Sequence, residues 1–245
     1  MNASTNSGEL KKKATSIIFF LLLFYVLPLI AKPELIFNWQ VIFLAAICSL
    51  LFATQPRLSI AEAKQKKASD RNTIWLIILV SGIGQIASLI EWAYFPEYSN
   101  PSAALVMPFV FEIENVTPIP SVFSFLNWTS IGATFLIAGT GFRLYAIHVL
   151  GNYFSATVQI KEEHKIILAG PYKFLRHPSY TGAYIAMLGN AIFLHSFIGV
   201  LIFGIGMLVV YHLRIKTEEQ TLTNQFGIFY KLYASRTYKM FPMVW

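Results

Sequence analysis

Long apolar runs, each closed by a short polar stretch, organise this chain. Thr15–Ala31, Leu35–Thr54, Thr73–Phe95 and Phe125–Leu150 are almost free of charge, and two shorter runs follow, Ser179–Leu194 and Phe197–Leu213, parted only by His195-Ser196. A helix that crosses a bilayer needs roughly 17–25 predominantly apolar residues. The first four runs meet that length and the last two lie near its lower edge, as expected of a tight helical hairpin. The pattern predicts an all-α, polytopic membrane helix bundle of about six transmembrane helices. Ala103–Phe111 is a further apolar stretch in the loop before the fourth run and is the candidate for a re-entrant segment.

The polar stretches set the orientation. Arg57, Lys64, Lys66, Lys67 and Arg71 fill one loop, Lys161, Lys165, Lys173 and Arg176 another, and Lys216, Lys231, Arg236 and Lys239 the C-terminal tail. The loop Pro96–Ser124 has no Lys or Arg but carries Glu97, Glu112 and Glu114. Six spans with both ends in the cytoplasm place every basic cluster inside and leave only Lys32 outside. Residues 1–13 read as a flexible cytoplasmic N-terminus, 14–125 as an N-terminal transmembrane region, and 126–245 as a core with a helical hairpin. Within Lys216–Arg236, Leu222, Phe226, Phe229, Tyr230 and Tyr233 recur at spacings of three and four, which predicts a cytoplasmic amphipathic helix.

Composition agrees with this picture. Of 245 residues, 56% are hydrophobic and 13% charged, whereas a soluble domain carries about a quarter charged residues. The net charge of +7 sits in short loops beside apolar runs and accompanies no nucleic-acid-binding motif. The single cysteine, Cys48, leaves no internal disulfide and no cysteine-based metal site. The five histidines show no His-x-x-x-His spacing, so no metal site is predicted. There is no Rossmann or P-loop glycine pattern and no Gly-x-Ser-x-Gly elbow. The apolar run after Lys11-Lys12-Lys13 is too long for a signal peptide and reads as a retained first helix. Nothing in the sequence marks an oligomeric interface.

Two polar clusters flank the hairpin. Leu175-Arg176-His177-Pro178-Ser179-Tyr180-Thr181-Gly182 leads into its first helix, and Arg214 with Glu218-Glu219 follows its second. Pro178 suits the first turn of a helix, and the free N–H groups of that turn attract anionic groups. His177 and Tyr180, three apart, share a helix face; the same residues also suit a membrane-entry anchor. Arg214 and Glu218, four apart, either pair with each other or face inward, with Arg214 on an anion and Glu218 on a hydroxyl, amine or cation. Glu219 points about 100° away from Glu218. Arg143, Glu91 and Trp92 read as interfacial side chains at the ends of their spans, and Gly132, Gly139 and Gly141 as close-packing positions.

With these residues in hand, the C-terminal half resembles the isoprenylcysteine carboxyl methyltransferase family of integral membrane enzymes. The matching pieces, from Arg143 to Pro242, are Leu150-Gly151-Asn152-Tyr153-Phe154, Gly170-Pro171-Tyr172, Arg176 to Gly182, Arg214, Glu218-Glu219, Phe226-Gly227, Tyr230, Tyr233 and Phe241-Pro242. The resemblance implies S-adenosylmethionine as cofactor, held on the cytoplasmic side by Gln159, His164, Lys165, Ile166, Ile167, Tyr172, His177, Pro178, Ser179, Tyr180 and Glu218. It implies Arg214 as the catalytic and substrate-binding residue at an acceptor carboxylate. It also implies a prenylated or lipid-like acceptor entering from the bilayer, in a bacterial inner membrane or the endoplasmic reticulum. Phospholipid and thiol methyltransferases share the Arg-His-Pro region and stay open as alternatives, with a sterol-type reductase more distant. A transporter or scaffold is the non-enzymatic alternative, although no internal repeat points to one.

Overall fold

A computed structural model describes residues 13–54, 68–96, 128–154 and 166–242. They form seven helices: α1 (Lys13–Leu29), α2 (Trp39–Ala53), α3 (Ala68–Tyr94), α4 (Trp128–Leu150), α5 (Pro178–Phe193), α6 (Phe197–Phe226) and α7 (Ile228–Ala234). Short 3₁₀ turns at Pro33–Phe37, Gly151–Tyr153 and Gly170–Lys173 link them. The architecture is all-helical, and each of the six apolar runs has become a helix. Among the described residues, Thr73–Tyr94, Trp128–Leu150 and Phe197–Phe226 are long and apolar enough to cross a membrane; α1 and α2 are apolar but shorter, and α5 has 16 residues. The candidate re-entrant segment Ala103–Phe111 lies outside the described residues.

α4 and α5 pack along a seam of glycines. A Cβ on Gly182 would stand 2.6 Å from the Arg143 amide nitrogen, and one on Gly139 would stand 2.7 Å from the Gly182 carbonyl oxygen. Gly132 and Gly189 repeat the arrangement further along the same helices, against Phe193 and Leu136. Small residues let two helix backbones approach this closely where lipid offers no hydrophobic drive for association. Gly141, expected to join them, meets nothing within 4 Å.

The hairpin turns where predicted. His195 takes a left-handed φ of 54°, and its Nε2 lies 2.8 Å from the Thr129 hydroxyl. Ser196 accepts from the Gly199 amide as the N-cap of α6 and donates to Glu91 at 2.6 Å. Glu91 also accepts from the amides of Phe197 and Ile198. Glu91 is therefore not an interfacial side chain: it is 5% exposed and satisfies the start of α6, where free N–H groups and the helix dipole favour a carboxylate.

The C-terminal helix also departs from expectation. α6 continues unbroken through the mostly polar stretch Thr217 to Asn224, because no glycine or proline interrupts it there. It stops at Gly227, whose φ of 55° suits only glycine, and the short α7 follows. The face predicted to be continuous from Leu222 to Tyr233 is thus split between two helices. Tyr230 is buried, while Phe229 is exposed. Beyond α7, residues 237–242 run back along the entry to α5 and bury Met240 beside Tyr211 and Ile215.

Candidate active site

The segment before α5 is pinned from both sides. Gly170, at φ 53°, and Pro171 set the turn that buries Tyr172. Leu175 then pairs with Tyr238 as an isolated parallel bridge. Tyr238 donates its amide to Phe174, and the Arg176 and His177 amides donate to the Tyr238 and Lys239 carbonyls at 2.8 and 3.0 Å. Thr181 Oγ1 donates to the Met240 carbonyl, and the Tyr233 hydroxyl donates to the Tyr172 carbonyl at 2.8 Å. Pro178 occupies the first turn of α5, as its missing N–H predicts.

Within this frame the two polar clusters meet. Arg214, 2% exposed, donates from Nε to the Tyr180 hydroxyl at 3.3 Å and from Nη1 to Thr73 Oγ1 at 3.1 Å. The Tyr180 hydroxyl in turn donates to Glu218 at 2.9 Å. The His177 ring, 5% exposed, lies between the two glutamates, with Nδ1 3.9 Å from Glu218 and Nε2 3.5 Å from Glu219. It stacks on Tyr180 at 5.7 Å, and Tyr180 stacks on Tyr211 at 5.0 Å. Glu219 accepts from Arg176 Nε at 2.6 Å. Arg176 Nη1 also donates to the Ala234 carbonyl at 2.8 Å and to the Thr237 carbonyl. A connected polar path thus runs from Thr73 through Arg214, Tyr180, Glu218, His177, Glu219 and Arg176 to the C-terminal segment.

Arg143 corrects its expected role. It is 5% exposed, donates from Nη1 to the Ser179 carbonyl at 2.9 Å and lies over the Phe154 ring. It holds the start of α5 instead of reaching to the membrane surface. Of the residues implied by resemblance, Tyr172 lies in the 3₁₀ turn Gly170–Lys173, His177, Pro178, Ser179 and Tyr180 form the start of α5, and Arg214 and Glu218 lie on α6. Ile166 and Ile167 are half-buried in the segment leading to Gly170. Gln159, His164 and Lys165 lie outside the described residues. The sequence reading missed the ion pair of Arg176 with Glu219 and the part played by Thr73 and residues 237–240; the available signal was Arg176 itself, a cation at the mouth of an apolar helix.

The surrounding tyrosines are held neutral. Burial pushes the Tyr172 phenol above its usual range, and Glu218 adds to the effect. Burial does the same to Tyr230, with Glu219 and Glu218 contributing. Tyr233 is pushed up to about 12 by burial, against the opposing pull of Arg176. These phenols are donors at neutral pH. Among the described residues the Tyr230 hydroxyl and Arg143 Nε are buried without a hydrogen-bond partner, and such atoms are uncommon unless a ligand or water completes them. Among the described residues no group of His, Cys, Asp or Glu is placed to hold a metal.

Comparison with known proteins points the same way. Residues 131–224 match the model of the isoprenylcysteine carboxyl methyltransferase (ICMT) family. The chain is 32% identical over 125 residues to the protein-S-isoprenylcysteine O-methyltransferase of Schizosaccharomyces pombe, covering 50% of this chain and 52% of that protein. It is 34% identical over 120 residues to protein-S-isoprenylcysteine O-methyltransferase B of Arabidopsis thaliana, covering 48% and 61%. The chain therefore spans about half to three-fifths of the length of these curated relatives. The solved structure of a eukaryotic intramembrane Ras methyltransferase aligns over 100% of this chain and 88% of that one, at 19% identity and a TM-score of 0.47. The stretch 131–224, which contains α5, Arg214 and both glutamates, is thus similar to the isoprenylcysteine carboxyl methyltransferase family, as the motifs between Arg143 and Pro242 led one to expect.

Proposed function

We propose that this chain is a membrane-embedded carboxyl O-methyltransferase that uses S-adenosylmethionine and methylates the carboxylate of an isoprenylated cysteine or a closely similar lipid-like acid. The observation that carries the reading is Arg214, a buried cation joined through the Tyr180 hydroxyl to Glu218 within the stretch that matches the family. In this reading the six apolar runs are six spans, and the site lies at the cytoplasmic membrane face, where the basic loops gather.

The residues suit the cofactor. A zwitterionic amino acid with an attached nucleoside needs both acceptors and donors, and Glu218, Tyr230, Arg143 and His177 offer them, Tyr230 and Arg143 with buried polar atoms unmatched among the described residues. Gln159, His164, Lys165, Ile166, Ile167, Tyr172, Pro178, Ser179 and Tyr180 complete the proposed cofactor shell. When bound, S-adenosylmethionine supplies a methyl group already activated on a sulfonium, so the protein needs no nucleophile and no metal.

Arg214 holds the acceptor carboxylate, which keeps an oxygen lone pair for attack. A guanidinium engages a carboxylate through two parallel hydrogen bonds, and such positioning contributes up to ~7–11 kcal/mol in favourable cases. Tyr180 and Thr73 fix the guanidinium, so its direction is set before the substrate arrives. The packed aromatic rings of Tyr180 and Tyr211 exclude water, which would otherwise hydrate the carboxylate and slow its attack. The bound cofactor would supply the methyl group, so Arg214, Tyr180 and Thr73 would need only to orient the acceptor carboxylate, with no protein group gaining or losing a proton.

The test is methyl transfer from radiolabelled S-adenosylmethionine to N-acetyl-farnesylcysteine by the full chain in lipid, with the acceptor's methyl ester as control. Label on the acid and none on the ester is the expected result. Label only on phospholipid or a thiol acceptor would overturn the carboxylate reading, and no cofactor binding would overturn the methyltransferase reading.

A further inference from the structure

The C-terminal segment carries apolar side chains that the membrane-crossing helices do not account for. On α7, Ile228, Phe229 and Leu232 are 71%, 72% and 51% exposed. At about 100° per residue they share one side of the helix, while Tyr230 is buried and Tyr233 turns inward to the Tyr172 carbonyl. Phe174, 67% exposed, stands just before α5, and its carbonyl accepts the Tyr238 amide. Large exposed apolar side chains grouped in this way mark a contact surface.

Their depth follows from the contacts around Arg176. Phe197, Leu201, Ile205, Val209 and Leu213 are exposed apolar side chains spaced four apart on α6, and this row is its lipid face. The row covers about 24 Å of helix axis, within a hydrocarbon core of about 30 Å. Centred there, it leaves about 3 Å at each end. Glu219 lies about 9 Å beyond Leu213 along α6, so it stands about 6 Å outside the hydrocarbon, at the depth of the headgroups. Arg176 binds Glu219 through Nε and the Ala234 and Thr237 carbonyls through Nη1. One guanidinium therefore holds the end of α7 level with Glu219. Leu232 is two residues from Ala234, and Phe174 two residues from Arg176.

We propose that the face of α7 formed by Ile228, Phe229 and Leu232, together with Phe174, lies in the interfacial layer of the bilayer and is covered by phospholipid. Helices that lie on a membrane bury an apolar face at the boundary of headgroups and acyl chains, and a backbone at the depth of Glu219 puts phenylalanine and leucine side chains within reach of it. The same depth disfavours a soluble protein as the occupant, since headgroups already fill that layer. The Tyr233 hydroxyl on α7 bonds to the Tyr172 and Leu175 carbonyls, so the turn that precedes the candidate site rests, through α7, on the membrane surface.

The experiment uses the full chain with Cys48→Ser, which removes the single native cysteine, and one new cysteine at a time: Phe229→Cys, Leu232→Cys or Phe174→Cys. Gln225→Cys is the control, since Gln225 is exposed and lies about 18 Å beyond Leu213. Each cysteine carries a nitroxide label in phosphatidylcholine nanodiscs. Its collisions with oxygen, which concentrates in lipid, are compared with its collisions with a water-soluble nickel chelate. Oxygen should exceed nickel several-fold in the Phe229, Leu232 and Phe174 variants, and the order should reverse in the Gln225 variant. Nickel in excess in the Phe229 and Leu232 variants would overturn the proposal by placing the face in water. Low rates with both reagents would overturn it in favour of a protein partner or a second copy of this chain. Phe229→Trp is a second reading that needs no label: lipids brominated just below the headgroup should quench its added fluorescence, and added fluorescence that escapes quenching would overturn the proposal. No arm depends on methyl transfer, so a failure here is separate from any failure of the proposed function.

Discussion

Tyr180 and Glu218 come from different helices, 38 residues apart, and meet at 2.9 Å. The same phenol accepts from Arg214, so one hydroxyl orders a cation on one side and an anion on the other. A hydrogen bond to a charged group contributes about 1.5–3 kcal/mol. Tyr180→Phe keeps the ring stacked between His177 and Tyr211 but removes this link. The methyl-transfer rate should fall about tenfold or more while the protein stays folded; a rate within twofold of the unaltered chain would show that the link is dispensable.

Arg214 has a sharper expectation. Arg214→Lys keeps the charge but loses the planar fork that engages a carboxylate. Acceptor methylation should drop by about 100-fold or more in this variant, with S-adenosylmethionine affinity changed only a few-fold by calorimetry. Full activity in Arg214→Ala would remove the carboxylate role.

The glycine seam predicts a contrast between neighbours on one helix. Gly139→Ala drives a methyl group into the α5 backbone, so folded yield and melting temperature in detergent should fall markedly. Gly141→Ala meets nothing within 4 Å and should be neutral or stabilise by up to about 1 kcal/mol, the ordinary helix preference for alanine. Equal behaviour of the two variants would contradict the close approach of α4 and α5.

Glu91 should matter for folding and not for chemistry. Glu91→Ala leaves the Phe197 and Ile198 amides and the Ser196 hydroxyl without their acceptor. Each buried group left unpaired costs about 1–3 kcal/mol, so melting temperature should fall by several degrees. Glu91→Gln retains one acceptor oxygen and should fall in between; both variants should bind S-adenosylmethionine when folded.

Tyr233 gives a pH signature. Its folded pKa is pushed up to about 12, above an ordinary phenol near 10. The stabilisation from the neutral form is thus complete below about pH 10 and is lost as pH rises towards 12. Tyrosinate absorbance between about pH 10 and 12 should lose one phenol's contribution in Tyr233→Phe, while Tyr172 and Tyr230, also raised by burial, stay as late-titrating phenols. A Tyr233→Phe spectrum with unchanged titration up to pH 12 would contradict the assignment.

Much of this architecture is written in local pattern. Apolar runs placed the helices, His195-Ser196 marked the hairpin turn, and Gly132 with Gly139 announced a close contact. His177, Tyr180, Arg214 and Glu218, from the two polar clusters that meet at the site, were visible as ionisable or aromatic groups at the mouths of apolar helices. Arg143 and Glu91 were misread because both stand near span ends, where a charged side chain usually reaches water. Their burial depends on partners far along the chain, the Ser179 carbonyl and the α6 amides, which no local pattern contains. The pairing of Leu175 with Tyr238 was equally hidden, since one isolated bridge needs no alternating strand sequence. Gly227 was legible as a breaker, yet the periodicity running through it favoured one helix over two.

The support for His177 has a consequence for the order of biogenesis. Its amide is held by Lys239 and its neighbour Arg176 by Tyr238 and Thr237, all of which leave the ribosome after both helices of the hairpin. Until that segment is in place, the His177 amide lacks the Lys239 carbonyl, and Arg176 lacks the carbonyls that aim it at Glu219. The contacts that pin His177 and Arg176 thus come from residues beyond α7, and they can form only once that stretch of chain has been made.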